Sequence, residues 1–429
     1  MNFFGTDGIR GEYGTTLTTQ TAYSLGKSLA LIGGDCPIVV IGSDTRTSSP
    51  KLFSALASGV HHGGGNVINL GVLPTNAVGH FTRKFGGDFG VMITASHNPP
   101  CDNGLKVFDT YGVKVCVAKQ CVISDAMSVV TAKYSSKKVF EPVFYDIENI
   151  YVDDVLSAAG VSDCNGLAVA LDLCYGATCK VAPAALEKVG AKVTAFCSKA
   201  DGKRVNVDCG ATNPQFLQSR MRGNALGFAF DGDGDRLAVF EGQTLLSGSK
   251  VFYALAKYLH QNGRLKRNVA VGTVLTNGGV ERALKGLGVK LLRSDVGDRN
   301  VFDVMVKCGA VFGGEDSGHY LLTELATSAD ALLNALILTK IYSEKGSLIA
   351  YTEECEEIPH IAQSLPITEE NAKLIGEKQL AATTARISAL YPECRTVIRK
   401  SGTENKLRIY LEGENVSDSQ KEILATFCR

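Results

Sequence analysis

The feature that most constrains this chain is a pattern of short apolar runs alternating with longer amphipathic ones. That alternation is the mark of an α/β protein. Residues 37–42 (PIVVIG) predict a buried strand. A helix over 19–31, ending near Gly33-Gly34, precedes it, and a helix over 50–63 follows, with Ser48 or Ser49 as N-cap. Residues 66–70 and 90–94 predict further strands. The pattern restarts with a strand at 167–172, a helix at 177–189 and a strand at 191–196. It restarts again with a helix near 250–260, a strand at 268–274 and a helix at 280–287. From about residue 350 the chain differs: an acidic cluster at 353–357, a helix around 370–390, and strands at 396–398 and 407–411. The expectation is three similar mixed α/β domains, at 1–150, 151–245 and 246–349, and a smaller C-terminal α+β domain at 350–429.

Charge narrows the partners. Lys plus Arg and Asp plus Glu are equal at 44 each, so no basic excess points to nucleic acid or a membrane surface. The first residues lack the charged and apolar regions of a signal peptide, and the apolar runs are too short for a membrane span. None of the thirteen cysteines forms a CxxC pair. They read as reduced thiols of a cytoplasmic protein, and no structural zinc is expected.

Four polar clusters interrupt the apolar pattern, one in each expected domain. Thr94-Ala95-Ser96-His97-Asn98-Pro99, with Lys106 close behind, follows a strand, where α/β folds place active-site loops. A serine beside an imidazole and a lysine can carry a phosphoryl group if cations stabilise the transferring charge. A polar turn ended by Pro99-Pro100 explains the segment equally well. In Asp231-Gly232-Asp233-Gly234-Asp235-Arg236, carboxylates at every second position converge from one turn, and such hard oxygen ligands suit Mg²⁺. An EF-hand does not fit, because its sixth position would be Arg236 and its twelfth Gly242. Glu315, Ser317 and His319, in a Gly-rich loop, can read sugar hydroxyls or exchange protons, although a surface turn is the commoner explanation. Arg399-Lys400-Ser401-Gly402-Thr403 combines cations, hydroxyls and a flexed backbone, as in a phosphate nest or a solvated hairpin turn. Walker and GxGxxG motifs are absent, which argues against an NTPase or a nicotinamide enzyme.

Together, in this order and at these spacings, the clusters resemble the α-D-phosphohexomutase superfamily over essentially the whole chain. The resemblance implies four domains around a central cleft. It makes Ser96 the phosphoserine and an oxygen of that group the fourth metal ligand beside Asp231, Asp233 and Asp235. Glu315, Ser317 and His319, with Arg236, would meet the sugar, and Arg399, Ser401, Gly402 and Thr403 the non-reacting phosphate. Arg10 and Lys106 become candidates for proton transfer or charge stabilisation, and His97 and Arg46 support the serine loop. The opening Phe4-Gly5-Thr6-Asp7-Gly8-Ile9-Arg10-Gly11 and the segment Val296-Gly297-Asp298-Arg299 are similar to the branch acting on glucosamine phosphates. Asp316 replaces the Gln or Asn common there, and Asn405 a usual Pro. The implied reaction is reversible exchange of glucosamine 6-phosphate and glucosamine 1-phosphate through a hexosamine bisphosphate. Mg²⁺ would be the cofactor, a hexose or hexosamine bisphosphate the activator and a phosphosugar the partner. A homodimer stays open. A phosphomannomutase/phosphoglucomutase is the nearest alternative, and a metal-dependent sugar phosphatase the next.

Overall fold

The computed structural model describes residues 3–5, 7–135, 139, 141–324, 327–368, 370–401, 405–414 and 416–427. Their backbone forms four sheets. The first contains β1 (Ile9–Glu12), β2 (Ile38–Ser43), β3 (Asn66–Val72), β4 (Phe89–Ile93) and β5 (Asp102–Asp109), in the order β1-β5-β4-β2-β3. The second contains β6 (Ala168–Asp172), β7 (Lys192–Phe196), β8 (Leu226–Phe230), β9 (Leu237–Glu241) and β10 (Thr244–Leu246), in the order β10-β9-β8-β6-β7. The third orders β11 (Val269–Thr273), β12 (Lys290–Ser294), β13 (Phe312–Gly314) and β14 (Tyr320–Leu322) as β12-β11-β13-β14. The fourth places β17 (Lys406–Gly413) between β15 (His360–Pro366) and β16 (Cys394–Lys400), all antiparallel.

The first three sheets repeat one plan. A central strand (β2, β6 or β11) pairs in parallel with one neighbour on each side. The outer of those neighbours in chain order (β4, β8 or β13) then turns back into an antiparallel partner. The serine, aspartate and glutamate–histidine clusters each occupy that same turn, between β4 and β5, β8 and β9, and β13 and β14. Arg399 and Lys400 end β16, which pairs with β17.

One apolar core runs through the first three units, from Val40 and Phe81 through Leu171 and Phe228 to Phe312 and Leu336. The helix Ala331–Lys345 lies at its centre, with most of its side chains buried, as expected of a helix apolar on every side. Its N-cap Asp330 accepts the Leu333 N–H at 2.9 Å, the Asn76 amide at 2.7 Å and the Tyr151 hydroxyl at 2.7 Å. One buried carboxylate therefore caps a helix and ties three segments of chain. The C-terminal sheet has a separate core around Ile387, Leu407, Leu411 and Ile423.

Three local expectations change. The helix expected at 370–390 is Glu377–Leu390, preceded by a short 3₁₀ turn at Ala372–Leu374, because Gly376 is extended (ψ 151°) and interrupts it. The helix expected at 177–189 is Val181–Lys188, its first residues forming turns after Gly176. Ser48 stands at the N-cap position of Ser49–His62 without capping it, and its hydroxyl accepts the Asn103 amide at 2.8 Å.

Candidate active site

Ser96 lies three residues beyond β4, buried at 2% exposure, with φ +52°. Its Oγ donates to Asp231 Oδ2 at 2.9 Å and is 3.3 Å from His97 Nδ1. Its carbonyl accepts from Arg46 Nη2 at 2.9 Å and from Asn206 Nδ2 at 2.8 Å. Arg46 is itself buried, pairs with Asp44 at 2.9 Å, and donates to the carbonyls of Asn98, Pro99 and Asp102. One guanidinium thus fixes the course of the whole serine loop.

The aspartate turn comes from the next unit and meets that loop closely. A Cβ on Gly232 would sit 2.8 Å from the Ser96 carbonyl oxygen, so only glycine allows this approach. Asp231, Asp233 and Asp235 are buried with ligand oxygens within 4.8 Å of one another, a group able to hold a metal ion. Asp231 Oδ1 accepts the N–H groups of Asp235 and Arg236, both at 3.1 Å. Burial, then the charges of Asp235 and Asp233, push the Asp231 carboxyl well above the usual range. Among the described residues, Asp233 Oδ1 is buried without a hydrogen-bond partner. Crowded, desolvated carboxylates with an unpaired oxygen fit a hard cation.

Lys106, from β5, reaches Asp233 at 2.8 Å and Asp235 at 2.9 Å. Burial alone would lower its ammonium, but Asp233, Asp235 and Asp7 hold it well above its ordinary value. It is a fixed positive charge, suited to stabilising anions. Asp235 also accepts from His319 Nε2 at 2.9 Å, which brings the third unit to the site. Burial opposes the His319 proton, and Asp235 raises the ring above its usual range. Burial and then Arg236 push His97 down to about 4, so its ring is neutral at neutral pH. Arg236 Nε is buried without a partner among the described residues.

Arg10 pairs with Asp7 and approaches the Ala95 carbonyl at 3.4 Å. Asp7 also meets Lys114 at 2.6 Å, and Lys114 meets Asp298 at 2.6 Å. Arg299 donates to the Lys114 and Val115 carbonyls and so joins the third unit to the first. Glu315 accepts the Gly297 N–H at 2.7 Å, while Ser317 is exposed and only 3.5 Å from the Glu315 carboxylate. Arg399 makes no hydrogen bond to the Ser96–Asp231 group among the described residues. Its Nε is buried without a partner among the described residues; burial and then Arg408 push the guanidinium down, and Glu315 and Asp295 oppose this. Gly402 and Thr403 lie outside the described residues.

Sequence reasoning assigned no role to Asp7, Thr75, Lys114 or Asn206. Thr75 donates to Asp233 at 2.5 Å, and Asn206 joins the serine loop to the Gly232 N–H at 3.0 Å. Asp7 stands inside the opening motif with Arg10, the one signal that could have singled it out.

The chain matches the phosphoglucomutase/phosphomannomutase family in all four of its parts: alpha/beta/alpha domain I over residues 1–132, domain II over 149–244, domain III over 247–358 and the C-terminal domain over 357–428. It is 39% identical to the phosphoglucosamine mutase of Thermotoga neapolitana, over 97% of this chain and 96% of that one. It is 36% identical to the phosphoglucosamine mutase of Finegoldia magna, over 98% and 96%. Among solved structures, a phosphoglucomutase/phosphomannomutase family protein from Burkholderia thailandensis superposes with a TM-score of 0.81 at 23% identity, covering 99% of this chain and 97% of that one. Sheets, site and relatives agree: the chain belongs to the phosphoglucomutase/phosphomannomutase family of sugar-phosphate mutases.

Proposed function

We propose that the protein interconverts glucosamine 6-phosphate and glucosamine 1-phosphate, feeding amino-sugar nucleotide synthesis in the cytoplasm. The observation that carries this reading is the Ser96 hydroxyl held 2.9 Å from Asp231, at the meeting point of three loops from three units. Ser96, once phosphorylated, gives its phosphoryl group to the free hydroxyl of the bound sugar phosphate. The bisphosphate formed turns over in the cleft, and Ser96 takes back the other phosphoryl group. Arg10 and Lys106 supply fixed positive charge beside the transferring oxygens. His97, neutral and 3.3 Å from Ser96 Oγ, orients that oxygen. Arg236, His319, Glu315 and Ser317 face the sugar; Arg399, Ser401, Gly402 and Thr403 hold the phosphate that is not reacting.

Asp231, Asp233 and Asp235, with an oxygen of phosphorylated Ser96, would hold Mg²⁺. That ion supplies further neutralisation of the charge on the phosphoryl group in flight. A hexose or hexosamine bisphosphate serves as activator, because bisphosphate lost from the cleft leaves Ser96 unphosphorylated.

A substrate panel tests the reading. Purified protein receives Mg²⁺, a catalytic amount of hexose bisphosphate, and glucosamine, glucose or mannose phosphate. Fastest isomer formation from the glucosamine phosphate is expected. Preference for mannose or glucose phosphate would move the enzyme to the neighbouring branch. Free phosphate without isomer would make it a phosphatase.

A further inference from the structure

Beneath the serine loop, in the second unit, lies a group of ligand atoms that phosphoryl transfer does not use. A carboxylate oxygen of Asp172 and the sulfurs of Cys197 and Cys209 lie within 4.8 Å of one another. Two sulfurs bound to one tetrahedral ion at about 2.3 Å stand roughly 3.8 Å apart. Cys174 lies beside the group without joining it, its sulfur 3.9 Å from that of Cys209 alone. The ligands arrive on neighbouring pieces of chain. Asp172 ends β6, Cys197 follows the adjacent parallel strand β7, and Cys209 stands at the far end of the loop beyond it. Asp172, Cys174 and Cys209 are buried, and Cys197 is partly so.

The corresponding turn of the first unit indicates which charge belongs here. Asp44 follows the central strand β2 and accepts the Arg46 N–H on Oδ1 at 3.0 Å. Asp172 ends the central strand β6 and accepts the Cys174 N–H on Oδ1, also at 3.0 Å. Both carboxylates are buried. In the first unit the residue two places on is an arginine, and its guanidinium neutralises Asp44 at 2.9 Å. In the second it is a cysteine. Among the described residues no Lys, Arg or His pairs with Asp172. Its Oδ2 accepts the Gly210 N–H at 2.6 Å. The second unit keeps the buried anion of the first, lacks its cation, and surrounds the place with thiols.

We propose that Asp172, Cys197 and Cys209 bind one thiophilic divalent cation of the Zn²⁺ class, with the fourth position left to water. The cation enters as thiol protons leave to water, with no change in oxidation state. Sulfur ligands select such an ion over Mg²⁺, whereas the all-oxygen Asp231 group selects the reverse. The absence of any CxxC pair argued against structural zinc, but here the ligands converge from separate turns. Asn206, between Cys197 and Cys209, accepts the Cys174 thiol at 3.1 Å and the Gly232 N–H at 3.0 Å. It donates to the carbonyls of Ser96 at 2.8 Å and Asn98 at 3.0 Å. An ion holding Cys197 and Cys209 closes this loop at both ends and keeps Asn206 against the serine loop.

The test strips the full chain of metal with a chelator under reducing conditions and titrates it with Co²⁺. One equivalent per chain should produce the sulfur-to-cobalt charge-transfer band, and one equivalent of Zn²⁺ should abolish it. The band should vanish in Cys197→Ser and in Cys209→Ser. It should persist when the exposed Cys36, Cys101, Cys116 and Cys121 are all changed to serine, and in Asp231→Asn. No band at one equivalent, or a band surviving in both Cys197→Ser and Cys209→Ser, overturns the proposal. So does a Cys174–Cys209 disulfide found by mass spectrometry in protein purified without reductant. If the serine variants fail to fold, ¹¹³Cd NMR of the wild-type chain reads the donor set directly. A shift in the multiple-sulfur range supports the site, and one in the all-oxygen range refutes it.

Discussion

Ser96 holds a backbone angle, φ +52°, that costs a residue with a side chain about 1–3 kcal/mol. The donors on its carbonyl, Arg46 and Asn206, offset that cost, and the result is a hydroxyl aimed at Asp231. In the proposed mechanism this oxygen alone carries the phosphoryl group between half-reactions, so Ser96→Ala should retain its fold by circular dichroism and lose mutase turnover altogether. Near-normal turnover in the purified variant would sink the mechanism. Asp233 offers a second test, since its unpartnered Oδ1 belongs to the carboxylate that Lys106 also meets. Asp233→Asn keeps an oxygen and removes one charge. The rate should fall more than substrate affinity, with added Mg²⁺ restoring part of it. An unchanged rate at limiting Mg²⁺ removes Asp233 from the metal-binding set.

At the level of elements, the decisive contact is between two turns. Gly232 lets the β8–β9 turn approach the Ser96 carbonyl, and a methyl group there meets backbone, which yields less readily than a side-chain tip. Gly232→Ala should lower stability by about 1–3 kcal/mol in denaturant titrations. It should also cut kcat by up to about 100-fold as the hydroxyl and its carboxylate separate. A variant as stable and active as wild type would show that the turns can part without consequence. Much of this level could be read in advance. The strands at 37–42, 66–70 and 167–172 are apolar runs between turn residues, and their pairing confirms them. The site loops stood out because polar residues cluster where a strand has just ended. Other parts left no local trace. The helix Val117–Ser128 buries only Ile123, Ser124 and Met127, too little for a clear periodic stripe. Strand β1 is only four residues long and owes its form to pairing with β5, far along the chain. Thr75, Lys114 and Asn206 matter through partners on other units, and such contacts cannot be seen within a window of sequence.

Across the whole molecule, one apolar cluster spans the first three units beside further clusters in each, while the C-terminal sheet has its own. That sheet is fastened to the third unit at a small group of polar contacts. Arg395 pairs with Glu412 at 2.8 Å and reaches the Val274 and Thr276 carbonyls, Glu412 accepts the Gly278 N–H at 3.0 Å, and Asn277 donates to the Ile358 carbonyl at 2.9 Å. Arg399 stands on the same strand, four residues beyond Arg395, with its Nε buried and unpaired among the described residues. In the proposed mechanism it grips the non-reacting phosphate, so it should serve both half-reactions. Arg399→Lys keeps the charge and loses the two-pronged donor, so glucosamine phosphate should bind more weakly and bisphosphate should escape more often before it turns over. Arg399→Ala should do both more severely and leave phosphate already on Ser96 in place. Wild-type affinity and no extra released bisphosphate in the alanine variant would take this loop out of the site. The spacing of Arg395 and Arg399 also makes β16 a lever. Four strand residues span about 13 Å, so a turn of roughly 10° about the Arg395 fastening swings the guanidinium of Arg399 by about 2 Å. A modest tilt of the last sheet is thus enough to loosen or tighten a hold on phosphate, with Ser96 and its carboxylates left where they stand.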